Sequence, residues 1–288
     1  MDLALLLDAI TIGSIYALVA LGFTIVFSPT HVINFAQGEF VILGAIVAFQ
    51  MQSVWRLHPV LMLLTAVVVA AAMGAVVERM IMLPVRLSGS RFAWIIATLA
   101  AALIFQAVFV LSYPSALLRP RPLLAGSFTV GGLRVEMQEL VVIVGALVIM
   151  AAFDQFLKRT IYGRAIRAAA HDADIASLMG IGVRSVVIVS FVLSAVITTL
   201  AGVLAAPTVF IEPGQGLLFT IKGFVAIVIG GIGSSRGALV GGLIVGLLDT
   251  VVRNTVSPGL GNVVVVGALA LILLVFPAGL FGKPIASH

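Results

Sequence analysis

The stretch Gly13-Ser14-Ile15-Tyr16-Ala17-Leu18-Val19-Ala20-Leu21-Gly22-Phe23-Thr24-Ile25-Val26-Phe27-Ser28-Pro29-Thr30-His31-Val32-Ile33-Asn34-Phe35-Ala36-Gln37-Gly38-Glu39 decides the fold class of this chain. Its first part extends back to residue 4 with Asp8 as the only charge, which is enough apolar chain to cross a bilayer as a helix. Pro29 has no amide proton to give a helix and disfavours the helical conformation at Ser28, so a break is expected here. The chain then turns apolar again while carrying Asn34, Gln37 and Glu39. Polar groups at membrane depth are costly and have to face protein or a water-filled cavity. Two readings stay open. These three residues border a pathway or gate, or Thr30 caps the next helix in an ordinary inner loop and Glu39 locks helices together.

Working outward, the same apolar pattern recurs over residues 31–50, 59–78, 92–112, 138–156, 184–206, 217–234, 237–253 and 260–277, which with 4–27 makes nine spans. Eight remain if one glycine-rich late segment only dips into the membrane. The composition agrees: 62% hydrophobic, 9% charged and a mean hydropathy of +1.28. A soluble domain carries about 25% charged residues, so the solvent for most of this surface is lipid. The expectation is one all-α, polytopic bundle over residues 1–288, with no second soluble domain. Met1-Asp2-Leu3 has no basic n-region and is expected to begin a retained helix.

The net charge of +5 is read as membrane topology rather than nucleic-acid binding. With the N-terminus outside, the inner loops receive Arg79, Arg86, Arg91, Lys158, Arg159, Arg164, Arg167, Arg184, Arg236 and Lys283. The outer side receives Arg56, Arg119, Arg121, Arg134 and Arg253, with Lys222 near it. The dense basic run from 158 to 184 decides the orientation, and the C-terminus falls on the cytoplasmic side. Residues 113–137, with Pro114, Pro120, Pro122, Gly126, Gly131 and Gly132, form an external loop of turns and extended chain.

The inner loop 160–182 has no proline and reads as helical at its centre. Ile175, Leu178 and Met179 share a helix face by their spacing, Gly180 follows as a C-terminal stop, and Gly163, Arg164, Arg167 and Asp172 precede it. A short amphipathic helix on this side lies on lipid or docks in a partner's groove, and the glycine at each end favours a defined docking element.

The late spans are dense in glycine. Gly233, Gly237 and Gly241 form a small-xxx-small stripe, joined by Gly230 and Gly231, with Gly242 and Gly246 parallel to it, and such stripes bring helices close together. The Gly-Gly-Ile-Gly-Ser-Ser-Arg-Gly run lacks Gly-Lys-Ser/Thr and follows no strand, so it is not a nucleotide cradle. There is no cysteine, the four histidines (31, 58, 171, 288) are scattered, and no nucleophile elbow or zinc motif occurs. No catalytic or metal site is expected, and no short-period repeat is visible.

These segments together resemble the permeases of branched-chain amino acid ATP-binding cassette importers. Asn34-Phe35-Ala36-Gln37-Gly38-Glu39 is similar to that family's N-F-A-H-G-E signature, and Gly13 to Gly22 matches its first span. Gly163-Arg164-Ala165-Ile166-Arg167-Ala168 through Met179-Gly180-Ile181 resembles its ATPase-coupling loop, and Lys222-Gly223-Phe224 with Gly230-Gly231-Ile232-Gly233 its late spans. Gln37 stands where many members carry His, and Ser235-Arg236 where Ile-Pro is frequent. The resemblance implies a permease in the inner membrane, paired with a second permease chain (a homologous one rather than itself), two ATPases that bind the ATP, and an external solute-binding protein. It implies branched-chain amino acids as solutes, with urea, short amides and small carboxylates as alternatives. A stand-alone channel or secondary carrier is the alternative class. It would need intramembrane ionisable pairs, for which Glu39 and Asp249 are the candidates.

Overall fold

The computed structural model describes residues 3–87, 92–114, 118–130, 133–255, 260–275 and 279–281. Met1, Asp2, Arg91, Gly131, Gly132, Lys283 and His288, used in the sequence reading, lie outside the described residues.

The bundle is helical as the hydropathy pattern requires. α1 (Leu3–Thr30) is its central pillar, about 42 Å long at 1.5 Å per residue and buried on all sides from Gly13 to Val26. Around it stand α2 (Gln37–Phe49), α9 (Val183–Ala205), α10 (Gly216–Gly230) and α11 (Ser235–Thr255), and these five helices supply most of the buried core. α3 (Pro59–Val76), α5 (Ala93–Ser112), α6 (Met137–Arg159) and α12 (Leu260–Val275) form the periphery. Their outer faces carry exposed Leu64, Val68, Ile96, Ile104 and Val148. In water such a surface would aggregate, whereas in a bilayer it meets acyl chains.

Among the described residues a helix falls in each of the nine apolar segments. Seven of them are long and apolar enough to cross a membrane by themselves, while α2 and α12 are shorter. A wide-turn π-helical stretch, Gln50–Val54, lengthens α2, and another, Val77–Met82, carries α3 into the short α4 (Leu83–Leu87). α3 starts as its sequence dictates, with Pro59 in the first turn and His58 Nδ1 accepting from the Val60 amide at 3.3 Å.

One expectation changes. Pro29 does not break α1, which runs one residue past it. The Ser28 hydroxyl donates to Thr24 O (2.7 Å) and the Thr30 hydroxyl to Val26 O (2.6 Å), so the last turn is closed by side chains. His31, at φ +55°, is the residue that ends the helix, and Thr30 belongs to the end of α1 rather than capping α2. The turns and extended chain expected over 113–137 include a hairpin. Ser127–Val130 (β1) and Leu133–Glu136 (β2) form an antiparallel hairpin with Phe128 opposite Val135. Lys222 is buried on α10.

Candidate functional site

Between α1 and α2 the chain doubles back into the protein. Asn34 organises the turn, its Oδ1 accepting from Ala36 N and its carbonyl from Gln37 N, both at 3.1 Å. α2 therefore begins beside the middle of the bundle instead of at its edge. Gln37 Nε2 donates to Ser194 Oγ (2.9 Å) and Thr198 Oγ1 (2.5 Å) on α9, and the Ser194 hydroxyl also lies 2.8 Å from Gly22 O on α1. A side chain on Gly22 would overlap the Gln37 amide, so the glycine makes room for this three-helix knot. Next to it, Gly38 N donates to Thr220 Oγ1 on α10 (2.9 Å), which also reaches Phe35 O (3.2 Å). The Glu39 carboxylate rests on Gly216, where a Cβ would collide with it.

Asn34, Gln37 and Glu39 are each at most 1% exposed, so the structure brings all three to one buried junction of α1, α2, α9 and α10. Gln37 is fully engaged. Asn34 Nδ2 and Glu39 Oε2 have no hydrogen-bond partner among the described residues. Such orphaned groups are expensive in a low-dielectric interior, so each calls for a further partner. Ser194, Thr198 and Thr220 escaped the sequence reading, since single hydroxyls on apolar helices give no signal there.

A second polar cluster lies between α1, α10 and α11. Asp249, fully buried, accepts Lys222 Nζ at 3.0 and 2.9 Å, Arg253 Nε at 3.0 Å and the Tyr16 hydroxyl at 2.8 Å. The Lys222 ammonium also lies 5.4 Å from the centre of the Tyr16 ring. One sequence signal was available for this pair. A lysine inside an apolar span needs a counter-charge, and Asp249 is the one acid within the late spans.

The inner loop folds as two helices, α7 (Ile161–His171) and α8 (Ala173–Leu178). Thr160 Oγ1 accepts from Gly163 N (2.9 Å), and Asp172 Oδ1 accepts from Asp174 N and Ile175 N (2.9 Å each), so each helix has a side-chain N-cap. Gly163 is a packing residue, because a Cβ there would strike the end of α6 at Phe156 O. Ile166, Ala169, Ala176 and Val186 bind α7 and α8 to α6 and to the start of α9. Gly180, at φ +81°, closes α8 as a left-handed C′ residue. Ile175, Leu178 and Met179 are 60%, 87% and 79% exposed, and Arg164 and Arg167 are exposed as well. Ile175 and Met179, with His171, Asp172 and Ile181, line a groove of about 460 Å³.

The glycines of α10 and α11 divide into two kinds. Gly230 lies against Gly237, and Gly241 against Ala226 O, closing the α10–α11 hairpin, while Gly242 and Gly246 take α11 onto Ala17 and Gly13 of α1. Gly233 is not part of this stripe. It sits in the turn at φ +86° with nothing within 4 Å among the described residues, and Gly231 beside it has φ +101°. Conformation, not packing, calls for glycine at 233.

A multi-pass bundle, with a helix that begins inside it and a rigid helical knob on one face, defines a membrane transport component. The profile of the family described as branched-chain amino acid transport system, permease component, matches residues 5–276. The chain is 33% identical over 293 residues to the high-affinity branched-chain amino acid transport system permease protein BraD of Pseudomonas aeruginosa, covering 97% of this chain and 95% of the relative. It is 32% identical to the corresponding protein LivH of Escherichia coli K12 (96% and 94% covered) and 28% identical to a probable LivH of Methanocaldococcus jannaschii (96% and 89%). No solved structure matches. The chain belongs to the branched-chain amino acid transport permease family.

Proposed function

We propose that this chain is the membrane-spanning subunit of an ATP-binding cassette importer for amino acids, with branched-chain amino acids as the leading solutes. The family match over residues 5–276 carries this reading. Urea, short amides and small carboxylates are the alternatives within the same importer type. The chain works with a second, homologous permease, two ATPases that bind and hydrolyse the ATP, and an external binding protein. It lies in a bacterial inner membrane with its N-terminus outside and its C-terminus in the cytoplasm, which keeps the basic 158–184 run inside and the 113–137 loop outside.

In this reading α7 and α8 receive the ATPase. Two capped helices fixed to α6 and α9 transmit a push, while Leu178 and Met179 present an apolar tip that nothing among the described residues covers. The solute passes the Asn34–Glu39 junction, where Asn34 Nδ2 and Glu39 Oε2 are open to a new partner and Gln37 holds the junction to α9.

Leu178→Asp with Met179→Asp tests the receiver without touching a buried side chain. ATPase is expected to be lost from the purified complex while the permease pair stays assembled. Normal ATPase recovery with normal uptake would remove α8 from the role. Asn34→Ala, with membrane insertion verified, is expected to lower uptake, and a wild-type rate and solute preference would make that residue structural.

A further inference from the structure

The connections that follow α1 and α9 share a ten-residue pattern. Pro29-Thr30-His31-Val32-Ile33-Asn34-Phe35-Ala36-Gln37-Gly38 aligns without a gap on Pro207-Thr208-Val209-Phe210-Ile211-Glu212-Pro213-Gly214-Gln215-Gly216, with Pro, Thr, Ile, Gln and Gly at the same five places. The two copies are 178 residues apart, far beyond the periods of stacked-repeat proteins.

The fold supports the match independently of the residue identities. Each copy follows a long helix, α1 or α9, and leads into a shorter helix that starts inside the protein, α2 or α10. Each shorter helix lies along the other unit's long helix at a glycine: Gly44 of α2 against Thr199 of α9, and Gly223 of α10 against Val19 of α1.

The directions follow from the contacts. Gln37 meets Ser194 and Thr198, and Val41 meets Gly202, so α2 and α9 run the same way. Tyr16 meets Phe219, and Phe23 meets Phe224, so α1 and α10 run the same way. Glu39 lies on Gly216 while Phe35 O meets Thr220, so α2 and α10 run in opposite directions. The two units are therefore inverted relative to each other. Gly38 and Gly216, equivalent by sequence, touch directly, which is where a two-fold axis relating the units has to pass.

The two copies differ in environment. Asn34, Ala36 and Gln37 are buried, whereas their counterparts Glu212 and Gly214 are exposed and Gln215 is half-buried. Glu212 cannot rest in hydrocarbon. Its neighbours are polar too, since the Arg119 guanidinium lies 4.9 Å from the centre of the Phe210 ring and Gln106 Nε2 donates to Gly214 O at 2.7 Å. Inverted repeats with one copy closed and the other open allow a midplane site to face each side in turn.

We infer that the permease is built from two inverted units, and that Glu212 and Gln215 line the solute path on the face opposite the one closed by Asn34 and Gln37. The two decapeptides exchange exposure during transport, and the carboxylates of Glu39 and Glu212 suit a small solute bearing an ammonium group. The inference deepens the importer reading above and rests on it.

The chain has no cysteine, so single cysteines report on their own positions. Val32→Cys, Phe210→Cys, Glu212→Cys and a control, Arg134→Cys on the exposed hairpin, are placed in the complete importer. In nanodiscs, where both faces meet solvent, their rates of modification by a charged thiol reagent are compared with and without trapping by ATP and vanadate. Positions 210 and 212 are expected to change several-fold in one sense and position 32 in the other, with 134 unchanged. In proteoliposomes, modification at 210 is expected to stop uptake and modification at 134 to leave it intact. Change in the same sense at both copies, no change at either, or full uptake after modification at 210 overturns the inference. The unsubstituted complex separates the two levels. If it carries no amino acid the importer reading fails, and if it is active with insensitive cysteines only the inverted-path inference fails.

Discussion

Gly241 and Gly267 are both helical glycines, yet only one is required by its surroundings. A Cβ at 241 would enter the Ala226 carbonyl, while at 267 it meets nothing within 4 Å among the described residues. Gly267→Ala is expected to be neutral or to stabilise by up to about 1 kcal/mol, through helix propensity and a less flexible unfolded chain. Gly241→Ala has to push two backbones apart and is expected to cost at least about 1–3 kcal/mol, as overpacked cores do. Gly233→Ala belongs to a third class, with room for the methyl group but a left-handed backbone that costs about 1–2 kcal/mol for other residues. Thermal unfolding of the three purified variants in one detergent should rank them 267, 233, 241 from mildest to most severe. If 233 were the most severe, the stripe as read from spacing alone would be right and the turn assignment wrong.

At the scale of elements, the Lys222–Asp249 pair ties α10 to α11, and Tyr16 adds α1. Breaking one side of a buried pair leaves a charge without compensation, at about 3–5 kcal/mol, whereas replacing both sides with apolar residues is often tolerated. Asp249→Leu, which strands the buried Lys222, is expected to lower the yield of folded permease strongly, Lys222→Met less so because Asp249 keeps Arg253 and Tyr16, and the double substitution to recover much of the Asp249→Leu loss. A double variant with a yield as low as Asp249→Leu alone would overturn charge compensation as the role of the pair. The difference between the two kinds of polar residue also sets what could be read from the sequence. Apolar run length and the basic loop depend on composition along the chain, so the apolar helices and a helical centre in the 160–182 loop were legible, though not its division into α7 and α8. What joins distant spans was not: Gln37 with Ser194 and Thr198, or the end of α1 recovered by two hydroxyls past Pro29. The Gly233 position was misread because a stripe and a turn share the same spacing. Only its φ separates them.

For the whole molecule, the proposed role of α8 as ATPase receiver requires a route from α8 to the junction of α1, α2, α9 and α10. The buried faces of α7 and α8 close on α6 and the first turns of α9 through Ile166, Ala176 and Val186. The same α9 carries Ser194 and Thr198, which hold Gln37 at the start of α2 and so fix the opening segment. One continuous helix thus joins the α7–α8 knob to the polar knot, and rigid elements with two arrangements are the physical means of coupling. Gln37→Ala removes the hold on α9 without altering the knob. The complex is expected to assemble and hydrolyse ATP while uptake falls, because the hydroxyls of α9 no longer pull α2. This outcome is the reverse of Leu178→Asp, in which the ATPase itself is lost. Simultaneous measurement of hydrolysis and uptake in proteoliposomes separates the two variants. A Gln37→Ala complex whose uptake keeps pace with its hydrolysis would take α9 out of the route and leave α1 to carry the motion.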